Sequence, residues 1–229
     1  MNGSTPLTMN IAVVIPAHNE AASIGPLTAS VRALGHDVIV IDDGSLDNTA
    51  GLAAAEGAVV IGTGKRGGKG NALRTGFNHA LKYGYQAVIA MDGDGQHDPS
   101  DIRSFVACSQ KTGAQVVNGN RMHAPKGMPL LRLATNAFMS SIISLMCGQR
   151  IKDTQCGFRL IAADVLKNVK LECSDFEIET ELLVKASRKG FKIASVNIQS
   201  IYRNEVSKIR PVRDTLRFIR YAARAVFDK

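Results

Sequence analysis

The twelve residues from Val88 to Pro99 read VIAMDGDGQHDP. An apolar run stops abruptly at Asp92 and Asp94, two carboxylates spaced by one glycine, and Gln96 follows two residues later. A short apolar run closed by turn residues reads as a buried strand. In open α/β sheets, ligands gather beyond the carboxyl ends of such strands. Two aspartates there suit a hard divalent cation, and such cations commonly hold substrate phosphates. The stretch therefore points to an α/β enzyme that handles a phosphorylated, nucleotide-bearing substrate.

The rest of the chain repeats the rhythm. Strand-like runs at 11–15, 38–41, 58–61, 86–91 and 115–118 alternate with helical patterns near 21–34, 47–56, 70–83 and 98–111. Ser45 or Asp47 is the expected cap of the second helix. Such alternation predicts βαβ units and a mainly parallel sheet flanked by helices. Past residue 120 the pattern loosens into helices at 129–147, 176–189 and 211–227, with strand-like material over 190–202. With no repeat and no linker, the expected organisation is a flexible start over 1–9, one α/β domain over 10–209 and a basic amphipathic helix over 210–229.

Charge divides the chain. Residues 1–100 carry a net −3 and residues 101–229 a net +11. The second half is thus suited to an anionic partner, a nucleic acid or a membrane surface. Trp is absent and aromatics are only 5%, which argues against base stacking and against nucleic acid as the partner. Cys108, Cys147, Cys156 and Cys173 show no CxxC or metal-finger spacing and read as reduced thiols. No signal peptide is visible. The longest uncharged run, between Arg132 and Arg150, is broken by Thr135, Asn136, Ser140, Ser141 and Ser144, so no membrane span is expected.

Three strand ends carry polar residues: Pro16-Ala17-His18-Asn19-Glu20, Asp42-Asp43-Gly44-Ser45 and Asp92-Gly93-Asp94. One Asp-Gly pair is usually only a turn; three such tips on one sheet form a stronger signal. In order, VVIPAHNEAASI (13–24), DDGSLDNT (42–49), GGKGNALRTG (67–76), MDGDGQHDP (91–99), NGNR (118–121) and DTQCGFR (153–159) resemble glycosyltransferase family 2, which has the Rossmann-like GT-A fold. Within it, the chain is most similar to the branch of dolichol-phosphate mannose synthases and polyprenyl-phosphate glycosyltransferases.

The resemblance implies roles. Pro16, Ala17, Asn19 and Glu20 match the first nucleotide-contacting loop. Asp43, with Asp42 beside it, matches the carboxylate that meets base or ribose. Asp92 and Asp94 match the metal pair and Gln96 a third ligand. Mg²⁺ or Mn²⁺ would bridge the diphosphate of a GDP- or UDP-sugar and stabilise the leaving group. The Gly62–Gly70 loop lacks the ending of a P-loop; Lys69 and Arg74 either steer the diphosphate or belong to a plain basic loop. Arg121, Arg132, Asn136, Arg203 and Lys208 match places that hold an acceptor phosphate. Arg132 and Asn136 share a helical face, and arginine grips phosphate with two parallel hydrogen bonds.

Asp153 and Gln155 match the loop near the transferred sugar and join Asp94 as catalytic candidates. Glu179 or Glu181 could approach the sugar, or act as a base if the acceptor is a hydroxyl, and Glu181 joins the catalytic candidates; early-helix glutamates also suit the helix dipole without any function. A phosphate acceptor is already anionic near neutral pH and needs no general base, whereas a hydroxyl acceptor needs one. Cys156 reads as a packing thiol.

Two segments look membrane-directed. Met128–Leu133, continuing into Phe138, Ile142 and Leu145, is either interfacial or core. Arg210, Arg213, Arg217, Arg220 and Arg224 form one helical stripe, suited to anionic lipid or to solvent. The expectation is an inverting, metal-dependent hexosyltransferase that serves polyprenyl phosphate, peripheral at the cytoplasmic face of a membrane. A family member with a saccharide or other hydroxyl acceptor is the nearest alternative. A non-catalytic nucleotide- or lipid-binding module is the alternative of another class.

Overall fold

A computed structural model describes residues 9–123 and 130–199, without the side chains of residues 131 and 132. The elements are β1 (Ile11–Ala17), α1 (Ile24–Ala33), β2 (Asp37–Asp42), α2 (Thr49–Ala55), β3 (Val59–Gly62), α3 (Lys69–Lys82) and β4 (Ala87–Ala90). A 3-10 turn at Pro99–Asp101 then leads into α4 (Ile102–Thr112), followed by β5 (Val116–Asn120) and α5 (Leu130–Cys147). The last described elements are β6 (Arg159–Ala162), α6 (Ala163–Asn168), α7 (Glu177–Arg188) and β7 (Ile193–Asn197). The expected helix at 211–227 and the expected flexible start over 1–8 lie outside the described residues.

Seven strands form one sheet in the order β3-β2-β1-β4-β6-β5-β7. β2, β1 and β4 run parallel, as do β3 with β2 and β7 with β5. β6 is antiparallel to both β4 and β5. The sheet is therefore mixed and mostly parallel, with helices on both faces. β6 and α6 were not anticipated: β6 is only four residues long and opens on the charged Arg159.

Period-two alternation builds two cores. Ala12, Val14, Ile39, Ile41, Val88 and Ala90 face one side with Leu73 and Phe77 of α3, Ile143 of α5 and Leu183 of α7. Ile11, Val13, Ile15, Val38, Val40 and Ile89 face the other with Val31 of α1 and Ile102 and Phe105 of α4. Apolar residues on both faces of a strand are the mark of a covered parallel sheet. α3 lies unusually close to it: a methyl group on Gly76 would come 2.3 Å from Val14 Cγ1.

The strand order reverses at β1, which has β2 on one side and β4 on the other. Crevices at such reversals are where α/β sheets bind ligands. The loops after β1, β2 and β4 all open there.

Candidate active site

The first two loops are stitched together by short polar side chains. Asp43 N–H donates to the Ala17 carbonyl (2.8 Å), and His18 Nδ1 lies 2.9 Å from the Asp43 carbonyl oxygen. Asn19 adopts φ +54°, a conformation asparagine tolerates better than most. It is held there by its N–H on Ser45 Oγ (2.9 Å) and by Leu46 N–H on its own Oδ1 (2.7 Å). Glu20 N–H donates to Thr49 Oγ1 (2.8 Å), and Asp42 Oδ1 accepts from Ser45 N–H (3.0 Å). Asp47 accepts from the N–H of Ala21 and of Thr49 (both 3.1 Å), while Asn48 occupies the cap position of α2 without a side-chain bond. Pro16, Ala17, Asn19, Glu20, Asp42 and Asp43 therefore all belong to one preformed pair of loops.

Asp43 also fixes the third loop. It is buried, and its two carboxylate oxygens accept from Gly67 N–H (2.7 Å) and Gly68 N–H (2.8 Å). Gly68 takes φ +92°, and a methyl group there would meet Ser174 O at 2.6 Å. Gly70 and Asn71 N–H donate to that same carbonyl. The glycine-rich loop is thus clasped between Asp43 and residues 173–175, and it delivers Lys69 as the first residue of α3.

Lys69 reaches the carboxylates. Its Nζ lies 2.5 Å from Asp92 Oδ1 and 2.7 Å from Glu179 Oε1. His97 Nε2 is 3.6 Å from Asp92 Oδ2, and the buried His97 ring packs on Phe158 with centroids 5.0 Å apart. Burial alone would raise the Asp92 carboxyl; the Lys69 ammonium and His97 outweigh it and hold the group well below the ordinary carboxylate range. Burial would lower Lys69, but Asp92 and Glu179 push it above the usual lysine range. Asp94 is shifted upward, first by burial and then by the charge of Asp92. Its Oδ1 accepts from Gln96 N–H (3.0 Å).

This donor set fits a divalent cation. Among the described residues no group of three or more His, Cys, Asp or Glu side chains is gathered around a metal position. Magnesium-type ions need no such cage, since one or two carboxylates suffice when phosphate and water complete the shell. Asp92 already holds a cation in the form of an ammonium, and Asp94 is a neighbouring anion that a second positive charge would relieve. Asp92, Asp94 and Gln96 are the residues that would hold the ion.

Other candidates have different partners. Asp153 is fully buried and bound to Arg121, Nε to Oδ2 at 2.8 Å and Nη2 to Oδ1 at 3.1 Å. Its oxygens also accept from the N–H of Arg121 and of Gln155, leaving little capacity for a sugar. Gln155 Nε2 donates to Thr154 Oγ1 (3.2 Å). Arg74 is turned to the Cys173 carbonyl (2.6 Å) rather than to the carboxylates. Asn136 is buried on α5. Arg203 and Lys208, and the side chain of Arg132, lie outside what the structure describes.

Glu181 is held by partners of its own. Its buried carboxylate accepts from the N–H of Glu172 and Cys173 and from Lys185 Nζ (2.7 Å), so it braces the 172–173 backbone. Residues two apart on a helix face different ways, and Glu179 is the one beside Asp92. Two further participants escaped the sequence reading. His97 was signalled only by its place after Gln96. Arg159 is almost wholly buried and ties the carbonyls of Cys156, Thr154 and Glu179 together. Cys156 is packed, its thiol pushed up to about 12 by burial, which agrees with a packing role.

A mixed, mostly parallel sheet, with stitched loops at its reversal point and a carboxylate pair at the tip of β4, defines an α/β protein with a ligand crevice at that point. The chain belongs to glycosyl transferase family 2, whose sequence model matches residues 12–170. It is similar to the uncharacterized protein MJ1222 of Methanocaldococcus jannaschii, with 34% identity over 84% of this chain and 82% of that one. It is also similar to the UDP-N-acetylglucosamine–dolichyl-phosphate N-acetylglucosaminyltransferase of Methanococcus voltae, with 28% identity over 84% of this chain and 86% of the relative. The fold is shared with Mycobacterium tuberculosis glucosyl-3-phosphoglycerate synthase, solved with Mn²⁺, UDP and phosphoglyceric acid: TM-score 0.71, 24% identity, covering 96% of this chain and 78% of that one.

Proposed function

We propose that the protein transfers a hexose, with inversion, from a GDP- or UDP-sugar to a polyprenyl phosphate, in a metal-dependent reaction. The observation that carries this reading is the pair Asp92 and Asp94 at the tip of β4, with Lys69 and the Asp43-clasped loop beside it. A bound Mg²⁺ or Mn²⁺ would supply Lewis acidity for the departing diphosphate. Asp92, Asp94 and Gln96 would hold it. Lys69 adds a mobile positive charge beside them, and the 17–20 and 43–49 loops supply a rigid floor for the nucleoside. The Methanococcus voltae relative, whose name gives dolichyl phosphate as acceptor, supports the lipid side of the reading.

No separate general base is needed, because the attacking phosphate oxygen is already ionised. Arg121 is held by Asp153, so a contribution to the acceptor would come from a fixed guanidinium rather than a swinging one. Arg132, Arg203 and Lys208 are the other proposed phosphate contacts, together with Asn136 of α5. We place the protein peripherally at the cytoplasmic face of a membrane. Among the described residues no helix is long and apolar enough to cross one, and the arginine stripe from Arg210 to Arg224 supplies an alternative hold on anionic lipid.

The test supplies detergent-dispersed polyprenyl phosphate with labelled UDP- and GDP-sugars, with and without Mg²⁺ or Mn²⁺. Label on the lipid, lost with chelator and reduced at least about a hundredfold in Asp92→Asn, is the expected result. Label only on a saccharide would replace the acceptor. Full activity in Asp92→Asn would remove the enzyme reading of this site.

A further inference from the structure

We propose that Lys69 is a built-in counter-cation for Asp92, which an incoming divalent ion must displace, and that Glu179 is the residue that keeps the displaced ammonium in the site. The inference rests on the metal reading above and concerns its regulation.

Lys69 is an odd residue for its position. It opens α3, and a cation at a helix N-terminus opposes the helix dipole. Its backbone is locked on both sides, by Asp43 on Gly67 and Gly68 and by Ser174 on Gly70. Only the side chain is left to move. That side chain is mostly enclosed, with its ammonium shared between Asp92 (2.5 Å) and Glu179 (2.7 Å) and the Phe176 ring 5.4 Å away. Gly157 closes the same space: a methyl group on it would come 2.7 Å from Asp92 Oδ2 and 2.9 Å from Glu179 Oε1.

The ammonium and a divalent ion compete for one carboxylate. Asp92 Oδ1 already carries Lys69 at hydrogen-bond distance, and Oδ2 has His97 near it, at 3.6 Å. Two cations on that carboxylate would repel strongly in so enclosed a place. Lys69 must release Asp92, but Glu179 need not release Lys69. Held by Glu179, the ammonium is then available to an anionic diphosphate. Metal alone therefore binds against Lys69, whereas metal with nucleotide binds with it. The two ligands should be positively coupled, by the ordinary reciprocity of linked equilibria.

Mn²⁺ binding, followed by loss of the free-ion EPR signal and without any turnover, tests this with UDP and, separately, GDP as the nucleotide. Wild-type protein should bind Mn²⁺ about tenfold more tightly when nucleotide is present. Lys69→Met should bind Mn²⁺ alone about tenfold more tightly than wild type and lose most of the coupling. Glu179→Gln should shift the other way, because Lys69 is left to Asp92 alone. In the Lys69→Met background the same glutamate change should have a much smaller effect. Opposite shifts from two variants cannot both come from misfolding. If Lys69→Met keeps wild-type Mn²⁺ affinity and coupling, the Lys69 assignment is wrong while the metal site stands. If wild type binds no Mn²⁺ even with either nucleotide, the metal reading itself falls and the inference with it.

Discussion

Single residues here have jobs that their spacing only partly announces. Asp92, Asp94 and Asp43 stood out as candidates only as a set: one Asp-Gly pair is usually a turn, but polar tips on three strands of one sheet are harder to explain that way. Asp153 was legible as a polar loop residue but not as a buried partner, since nothing in DTQCGFR says which cation comes to meet it. The geometry makes it the anchor of Arg121. Removing one member of a buried ion pair typically costs several kcal/mol, so Asp153→Asn should lose about 3 kcal/mol in urea denaturation. A residue that touched only the sugar would leave stability unchanged. Cys156 offers a second check. Burial raises its thiol to about 12. A raised thiol pKa means less thiolate at any lower pH, so at pH 8 native protein should leave Cys156 unalkylated by iodoacetamide while the half-buried Cys108 reacts. Peptide mapping by mass spectrometry would read both.

At the level of elements, β1 to β5 and α1 to α5 followed from periodicity, because their apolar residues recur at the spacing that one buried face demands. β6 and α6 did not. β6 is stabilised by neighbours on both sides, β4 and β5, which are distant in sequence. Its own four residues carry almost no signal, so tertiary pairing decides it. α3 shows the reverse case, where one residue type reports a long-range contact. Gly76 costs a helix roughly 1 kcal/mol relative to alanine, and it is there because Val14 and Ile41 leave no space for a methyl group. Gly76→Ala should therefore destabilise the protein by about 1–2 kcal/mol, overpacking outweighing the helix gain. Val14→Ala in the same chain should recover part of that loss. A Gly76→Ala protein with a raised melting temperature would show that α3 can move off the sheet freely.

The whole molecule is organised by charge as well as by fold: a mildly acidic half precedes a strongly basic one. If the basic half meets a membrane, the full chain should sediment with vesicles containing phosphatidylglycerol and not with phosphatidylcholine alone. The association should fade as salt is raised to about 0.5 M, where screening is nearly complete. Changing Arg213, Arg217 and Arg220 to glutamate should abolish it; unchanged sedimentation would leave the stripe as a solvated face. Sequence alone determined the α/β class, the family and the three loops that meet at the β1 reversal, because these depend on local periodicity and on residues contiguous in the chain. Only the tertiary structure decided that Glu179 rather than Glu181 stands beside Asp92, that Asp43 clasps the glycine-rich loop and that Lys69 sits on Asp92. Those facts join residues from 23 to 110 positions apart. No local pattern encodes such contacts, since they exist only once the sheet has brought its loops to one edge.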